Sequence, residues 1–323
     1  MSADAAAAVF PVVSVVIPAR NEEARIGRTV RAALEQRPEG TELEAIVVDD
    51  GSTDGTIREA ERAGARVVGA GARAGGGPAA ARNRGAEASR GDPILFLDAD
   101  CVPEPGWLRA MLDGHRSGAE AVGGPLVLPP GESISIRSDY YGCCYHMHPR
   151  RRRGPVRQHS PCNLSVRRGV FLNTARFDDR RAVRFAHEEL SWQGELAAAG
   201  GTILFEPAAR ARFSGRPGFR SVLARSYRWG RGAAEAKAGL RIVRWSRLYR
   251  HPRLVAVAGV PLGALSFLYV MGCWLRAGTW EPLLLWPLLF LQRAAYAAGL
   301  ARGGLAAANL RADASPRPLA RER

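Results

Sequence analysis

The stretch PILFLDADCVPEP, residues 93–105, sets Asp98 and Asp100 one residue apart, directly behind the apolar run Ile94 to Leu97. Taken alone, two such acids read equally well as caps of a turn or of a following helix. They have company. LEAIVVDDGSTDGT ends a second apolar run in Asp49 and Asp50, and HEELSWQGELAAAGG opens with Glu188 and Glu189. Together these carboxylates favour a metal site beside a general base over scattered caps, although Glu188 and Glu189 would also serve as first-turn charges that complement a helix dipole.

The elements that must position these acids follow from local pattern. VVSVVIP is a β-branched run closed by proline, and EEARIGRTVRAALEQ then carries Ile26, Val30 and Leu34 at helical spacing. The same strand-then-helix order recurs through LEAIVVDD, ARVVGA, GPAAARNRGAEASRG and PILFLDAD, and TILFEP adds a later strand. That alternation predicts an α/β fold with a mostly parallel sheet and helices on both faces. Ligands of such sheets bind outside the carboxyl ends of the strands, where Asp50 and Asp98 both fall. From Gly124 to about Ser160 the chain reads as irregular, rich in Pro, Gly and Arg.

The formal charge is +15, with a pI near 10.7. Lys237 is the single lysine among the 46 basic residues, so bulk basicity reads partly as coding bias, and its location carries more meaning. Twelve arginines and Lys237 face only Glu206 and Glu235 between Gly201 and Arg253. Behind them Leu254 to Leu275 form 22 residues without a charge, roughly 33 Å of helix against a bilayer core of about 30 Å. A second apolar stretch from Glu281 is interrupted by Pro282, Pro287 and Arg293. These features predict C-terminal transmembrane helices, one or two spans, with basic flanks and the catalytic domain on the cytoplasmic side of the inner (plasma) membrane. Nucleic acid is excluded as a partner by where the charge sits and by the lack of interleaved aromatics. MSADAAAAVF lacks the basic n-region of a signal peptide, and five cysteines without a CxxC argue against a disulfide or zinc framework.

Four blocks in order, VVSVVIPARNEE, AIVVDDGSTDGT, AARNRGAEASRGDPILFLDADCVPEPGWL and EELSWQGELAAAGGTILFEPAARA, resemble the family 2 glycosyltransferases of GT-A fold over roughly residues 12–213. The resemblance implies an inverting enzyme that uses a nucleotide-sugar donor. Pro18, Ala19, Arg20, Glu22 and Asp50 would hold the base and ribose, and Asp98 and Asp100 would form the DxD signature that binds Mg²⁺ or Mn²⁺ with the diphosphate oxygens. Apart from the resemblance, PAAARNRG offers a helix start and Arg82 to a diphosphate. Glu189 falls on the base position of the family's acidic pair, usually Glu-Asp, and the extra methylene leaves open which of Glu188 and Glu189 reaches the acceptor. RSYRW, Arg225 to Trp229, resembles the QxxRW element of processive members with Arg225 in the Gln position, a departure that argues against polymer synthesis.

The organisation that results is a GT-A domain over 11–213, a basic interfacial segment over 214–253, a membrane region over 254–301 and a basic cytoplasmic tail over 302–323. The expected acceptor is a lipid-linked or cell-envelope glycan hydroxyl. The alternatives are a polyprenyl-phosphate sugar synthase and a non-catalytic basic membrane adaptor. Other motifs read plainly: GAGARAGG (69–76) as a loop, His146 and His148 as loop histidines, Arg150 to Arg153 as a solvated or phosphate-facing run, and Asn163-Leu164-Ser165 as a sequon without meaning on a cytoplasmic face.

Overall fold

The structure, a computed structural model, describes residues 9–313 other than 37, 39, 70–74, 175, 180–186, 216–217, 238–242 and 244–246. The amino-terminal residues 1–8, most of the 69–76 glycine loop and residues 314–323 of the expected tail lie outside the described residues.

Strand and helix alternate as the apolar runs predict: β1 (Val12–Ala19), α1 (Glu23–Leu34), β2 (Glu42–Asp49), α2 (Thr56–Arg62), β3 (Arg66–Gly69), α3 (Pro78–Ala88) and β4 (Ile94–Leu97). These strands pair in parallel in the order β3-β2-β1-β4, with Ala19 opposite Asp49, so the ends of β1 and β2 are level. The chain continues through β5 (Cys101–Pro103), α4 (Trp107–Arg116), β6 (Ala121–Gly123), β7 (Leu126–Val127), α5 (Ile134–Cys143), β8 (Gly154–Val156), β9 (Asn163–Val166), α6 (Arg168–Asn173), α7 (Glu189–Ala198), β10 (Ile203–Phe205) and β11 (Ala211–Phe213). The main sheet extends as β4-β9-β6-β10-β8, with β9 antiparallel to both β4 and β6, while β5, β11 and β7 form a small second sheet.

Both faces of the sheet are covered. Alternate residues of β1 point to opposite sides: Val13, Val15 and Ile17 join the core beneath α1 and α4, and Val16 joins Phe96, Phe171, Phe177 and Trp192 on the other face. The second face is aromatic, with Phe96 centred 5.0 Å from both Phe171 and Phe177. Each such buried side chain contributes about 1.5–3 kcal/mol.

The segment expected to be irregular contains α5, capped by the Ser133 hydroxyl, which accepts from Ile136 N at 3.4 Å. The sequon residue Asn163 starts β9 and is fully buried. Its side chain accepts from Trp107 Nε1 at 2.8 Å and donates to the Pro125 and Ala209 carbonyls at 3.0 and 2.9 Å.

The C-terminal part forms α8 (Phe219–Lys237), a 3₁₀ turn (Leu248–Arg250), α9 (Pro252–Arg276), α10 (Glu281–Leu284) and α11 (Trp286–Asp313). The expectation of transmembrane helices is overturned: among the described residues no helix is long and apolar enough to cross a membrane. The physical reason lies in packing. Val270, Met271, Trp274, Leu285 and Leu289 enter the same core as β1 and α4, and Trp274 Nε1 donates to the Tyr141 carbonyl at 2.8 Å. α11 packs along α8 at backbone contact, since a Cβ at Gly299 would stand 2.0 Å from the Tyr227 carbonyl oxygen and one at Gly303 2.2 Å from that of Arg231. A run of apolar residues looks the same whether lipid or a protein core covers it.

Candidate active site

A cavity of about 530 Å³ opens at the carboxyl ends of β1, β2 and β4 and is closed from the far side by α7 and α8. Pro18, Ala19, Arg20, Glu22, Asp50, Arg82, Asp98, Asp100, Glu188 and Glu189 all line it. The residues expected to hold donor and metal and to act as base therefore meet in one place.

At the β2 end, Asp49 turns its carboxylate back on the loop and accepts from Gly51 N and Ser52 N, each at 3.1 Å. Asp50 faces the cavity instead. Its Oδ2 accepts from Gly77 N at 3.1 Å and lies 4.0 Å from Arg20 Nη1, whereas its buried Oδ1 has no hydrogen-bond donor among the described residues. Burial raises the Asp50 pKa. Glu22 is held by Arg25, which donates to Oε2 at 3.0 Å, and its backbone N–H donates to Thr56 Oγ1 at 2.7 Å.

The loop after β4 is fixed through its backbone. Asp98 N donates to the Cys162 carbonyl at 3.2 Å, Thr29 Oγ1 to the Ala99 carbonyl at 2.8 Å and Ser214 N to the Asp100 carbonyl at 2.8 Å. Both carboxylates are thereby aimed into the cavity. Among the described residues no group of three or more His, Cys, Asp or Glu side chains could hold a metal by itself. Two carboxylates on an open cavity nonetheless fit a hard cation of the kind that takes its remaining ligands from phosphate oxygens and water.

Arg82, on α3, is 3 % exposed and joins two acids: Nη2 contacts Asp98 Oδ1, and Nη1 donates to Glu188 Oε1 at 2.7 Å. Burial works against its charge, but the Asp98 and Glu188 carboxylates more than offset this and hold the guanidinium above its ordinary pKa. The fork thus sets the spacing between the strand-mouth acid and the α7 acid.

Glu188 and Glu189 sit at the start of α7, behind His187 at φ +61°. Glu188 is buried and tied to Arg82. No other described residue hydrogen-bonds the Glu189 side chain, which burial, and then the neighbouring Glu188 charge, push up to about 8.

Two residues of the cavity wall were not expected at the site. Asp139 on α5 is 1 % exposed and pairs with Arg225 on α8, whose guanidinium lies 5.0 Å from the centre of the Trp229 ring. Gln292 of α11 also reaches Asp139 Oδ1, at 3.4 Å. Asp139 stands in RSDYYG, within a stretch that reads as loop, and a buried acid there is visible only once α5 is folded onto α8. Arg225 was noted only as a departure from a motif. The remaining basic and histidine motifs lie apart from the cavity: Arg150 donates to the Ala277 and Gly278 carbonyls at 2.9 and 2.6 Å at the end of α9, Arg153 pairs with Glu206 at 2.7 Å, and His148 packs against Trp274.

The sequence profile of glycosyl transferase family 2 matches residues 14–173. Among curated proteins the chain is similar to glycosyltransferase AglE of Haloferax volcanii, 29% identical over 229 residues that cover 69% of this chain and 73% of that protein. It is also similar to the pre-mycofactocin glycosyltransferase of Mycobacterium tuberculosis, 27% identical over 261 residues, 78% of this chain and 51% of that protein, so it spans about half of that relative. A shorter match, 39% identical over 119 residues and covering 34% of each chain, is to the undecaprenyl-phosphate 4-deoxy-4-formamido-L-arabinose transferase of Pseudomonas aeruginosa. Among solved structures, glucosyl-3-phosphoglycerate synthase of Mycobacterium tuberculosis, crystallised with Mn²⁺, uridine diphosphate and glucosyl-3-phosphoglycerate, aligns at a TM-score of 0.48 and 20% identity over 70% of this chain and 79% of that one. The matched segment contains β1, β2, β4 and the acids at their ends, on the α/β fold that the alternation of strands and helices foretold and of the GT-A kind that the resemblance implied, and the chain belongs to the family 2 glycosyltransferases.

Proposed function

We propose that this chain transfers a sugar from a nucleotide-sugar donor to an acceptor hydroxyl by a single inverting displacement, with a lipid-linked or cell-envelope glycan as acceptor. The observation that carries the reading is the contrast between two adjacent glutamates in one cavity: Glu188 is committed to Arg82, and Glu189 is left with a carboxyl near 8 and no described partner. A carboxyl poised near the working pH is suited to take a proton from an alcohol.

Asp50 supports the donor half. Its buried Oδ1 is an acceptor in want of a donor, as a base imide or a ribose hydroxyl would supply, with Pro18, Ala19 and Arg20 alongside. Asp98 and Asp100 would hold Mg²⁺ or Mn²⁺, which when bound offsets charge on the departing diphosphate. In the displacement the acceptor O–H proton passes to Glu189, the acceptor oxygen bonds the anomeric carbon, and the bond from that carbon to the diphosphate oxygen breaks with its electron pair left on the nucleotide. Arg82 keeps Asp98 and Glu188 in register throughout.

The test is a panel of nucleotide sugars offered to purified protein, with release of nucleoside diphosphate as the readout. A metal-dependent release with one donor supports the reading, and no release with any donor contradicts it. The location proposed for this work is the inner face of the plasma membrane. Exposed apolar residues of the helical layer, Val257, Leu265, Leu268, Trp280 and Leu284, support attachment at the surface of a bilayer.

A further inference from the structure

The helical layer encloses a second, smaller cavity of about 150 Å³, built around Lys237, Tyr249, Ser266, Arg293 and Tyr296 with an apolar back wall. Its polar groups converge. Lys237 Nζ donates to Tyr296 Oη at 2.8 Å and lies 5.4 and 5.9 Å from the centres of the Tyr296 and Tyr249 rings. Arg293 stacks 4.8 Å from the centre of the same Tyr296 ring, and its Nε donates to Ser266 Oγ at 2.8 Å. Two cations share one ring, and among the described residues neither has a carboxylate within ion-pair distance.

Arg82 and Arg225, which line the catalytic cavity, are matched: Arg82 has two acids and Arg225 has Asp139. Here like charges are gathered against an apolar wall, an arrangement that costs free energy until an anion enters. The volume falls well below the ~300–1,000 Å³ of pockets for drug-sized ligands, so the cavity accepts a single anionic group and not a nucleotide. An ammonium, a guanidinium and hydroxyls around a small space match the oxygens of a phosphate, and charge-assisted bonds to such oxygens are the strong ones.

The cavity is wired to the site already described. Tyr296 Oη lies 3.4 Å from His187 Nε2, and His187 lines the catalytic cavity next to Glu188 and Glu189. Burial, followed by the Lys237 and Arg293 charges, holds His187 well below its ordinary pKa, and burial pushes Tyr296 up to about 12, so a neutral imidazole meets a protonated phenol.

We propose that this cavity binds the phosphate group of a phosphorylated acceptor and thereby presents the rest of that acceptor to the catalytic cavity beside Glu189; the proposal rests on the transferase reading above. Lys237 is the only lysine of the chain, so an amine-acylating reagent reports on it directly in the full-length protein by peptide mass spectrometry. Saturating inorganic phosphate is expected to slow acylation of Lys237 by about tenfold or more while the α-amine reacts at an unchanged rate. Farnesyl phosphate in detergent micelles is the second arm: protection at concentrations about tenfold lower assigns a lipid-borne phosphate, and equal protection assigns a soluble one. Arg293→Gln should weaken the protection by about tenfold or more. Acylation of Lys237 at the same rate with and without both probes overturns the proposal, as does full protection in Arg293→Gln. Nucleoside diphosphate release by the unaltered chain tests the transferase reading separately, so either idea can fail alone.

Discussion

The pH dependence of transfer is where the site geometry makes its sharpest demand. With the Glu189 carboxyl at about 8, the ionised form that accepts a proton amounts to roughly a tenth of the protein at pH 7 and roughly nine tenths at pH 9. If Glu189 is the base, kcat/KM should rise by about tenfold over that interval and fall by about tenfold per unit below pH 7, because kcat/KM follows the ionisation of the free enzyme. Glu189→Gln should remove the rise and lower transfer by about 100-fold or more. Glu188→Gln should keep the rise but move its midpoint downward, since the Glu188 charge is the second cause of the shift and its loss frees Arg82 to act on Glu189. Burial, the first cause, remains, so the midpoint should not return to the ordinary glutamate value of 4.5. The assay is nucleoside diphosphate release with acceptor present, from pH 6 to 9.5, with equilibrium donor binding followed over the same range as control. Folding offers an independent sign. A carboxyl raised in the folded state contributes stability that is full below its unfolded pKa and is lost as pH climbs through about 8, so Glu189→Gln should gain in melting temperature relative to the parent between pH 6 and 9. A flat pH profile in the parent, or a midpoint that moves upward in Glu188→Gln, would refute the assignment of the base.

Asp100→Asn should abolish most donor turnover while circular dichroism stays unchanged, and full activity of that variant in the presence of chelator would contradict a metal role. Arg82→Gln should lower unfolding free energy by about 3–5 kcal/mol in chemical denaturation, because it strands Asp98 and Glu188 near each other without their shared cation. Gly299→Ala, whose new methyl would stand 2.0 Å from the Tyr227 carbonyl oxygen, should cost about 1–3 kcal/mol and show as a lower melting temperature. Liposome flotation should recover the full chain with anionic vesicles, and a chain that stays at the bottom of the gradient would remove the membrane-surface location.

The parts legible in the sequence are those where one local rule decides. β1, β2 and β4 are apolar runs cut off by an acid or proline, and an interior strand of a parallel sheet has to look that way. The site acids were visible for the same reason: Asp50, Asp98 and Asp100 break apolar runs at the points where strands end. What stayed hidden depends on tertiary partners. α5 carries Ser, Arg, Asp and Gly, and its contacts with Leu126, Phe213, Arg225, Trp274 and Gln292 make it a buried helix. β9 is four residues long, and its antiparallel insertion between β4 and β6 follows from where the chain returns after 124–160. Leu254 to Leu275 gave a period-free apolar signal, and whether lipid or protein covers such a segment is settled by glycine-mediated helix contacts that one segment alone does not reveal.

The shared core between the sheet and the C-terminal helices bears on how the molecule comes apart. Trp274 is centred 5.4 and 4.9 Å from Tyr140 and Tyr141, and Tyr140 in turn donates to the Leu126 carbonyl of β7 and packs against Phe213 of β11. A chain that ended between residues 213 and 254 would lack Trp274 and so uncover this aromatic cluster. The two parts should therefore melt in one cooperative transition, and hydrogen exchange in β1 should be no slower than in the buried turns of α9 around Met271.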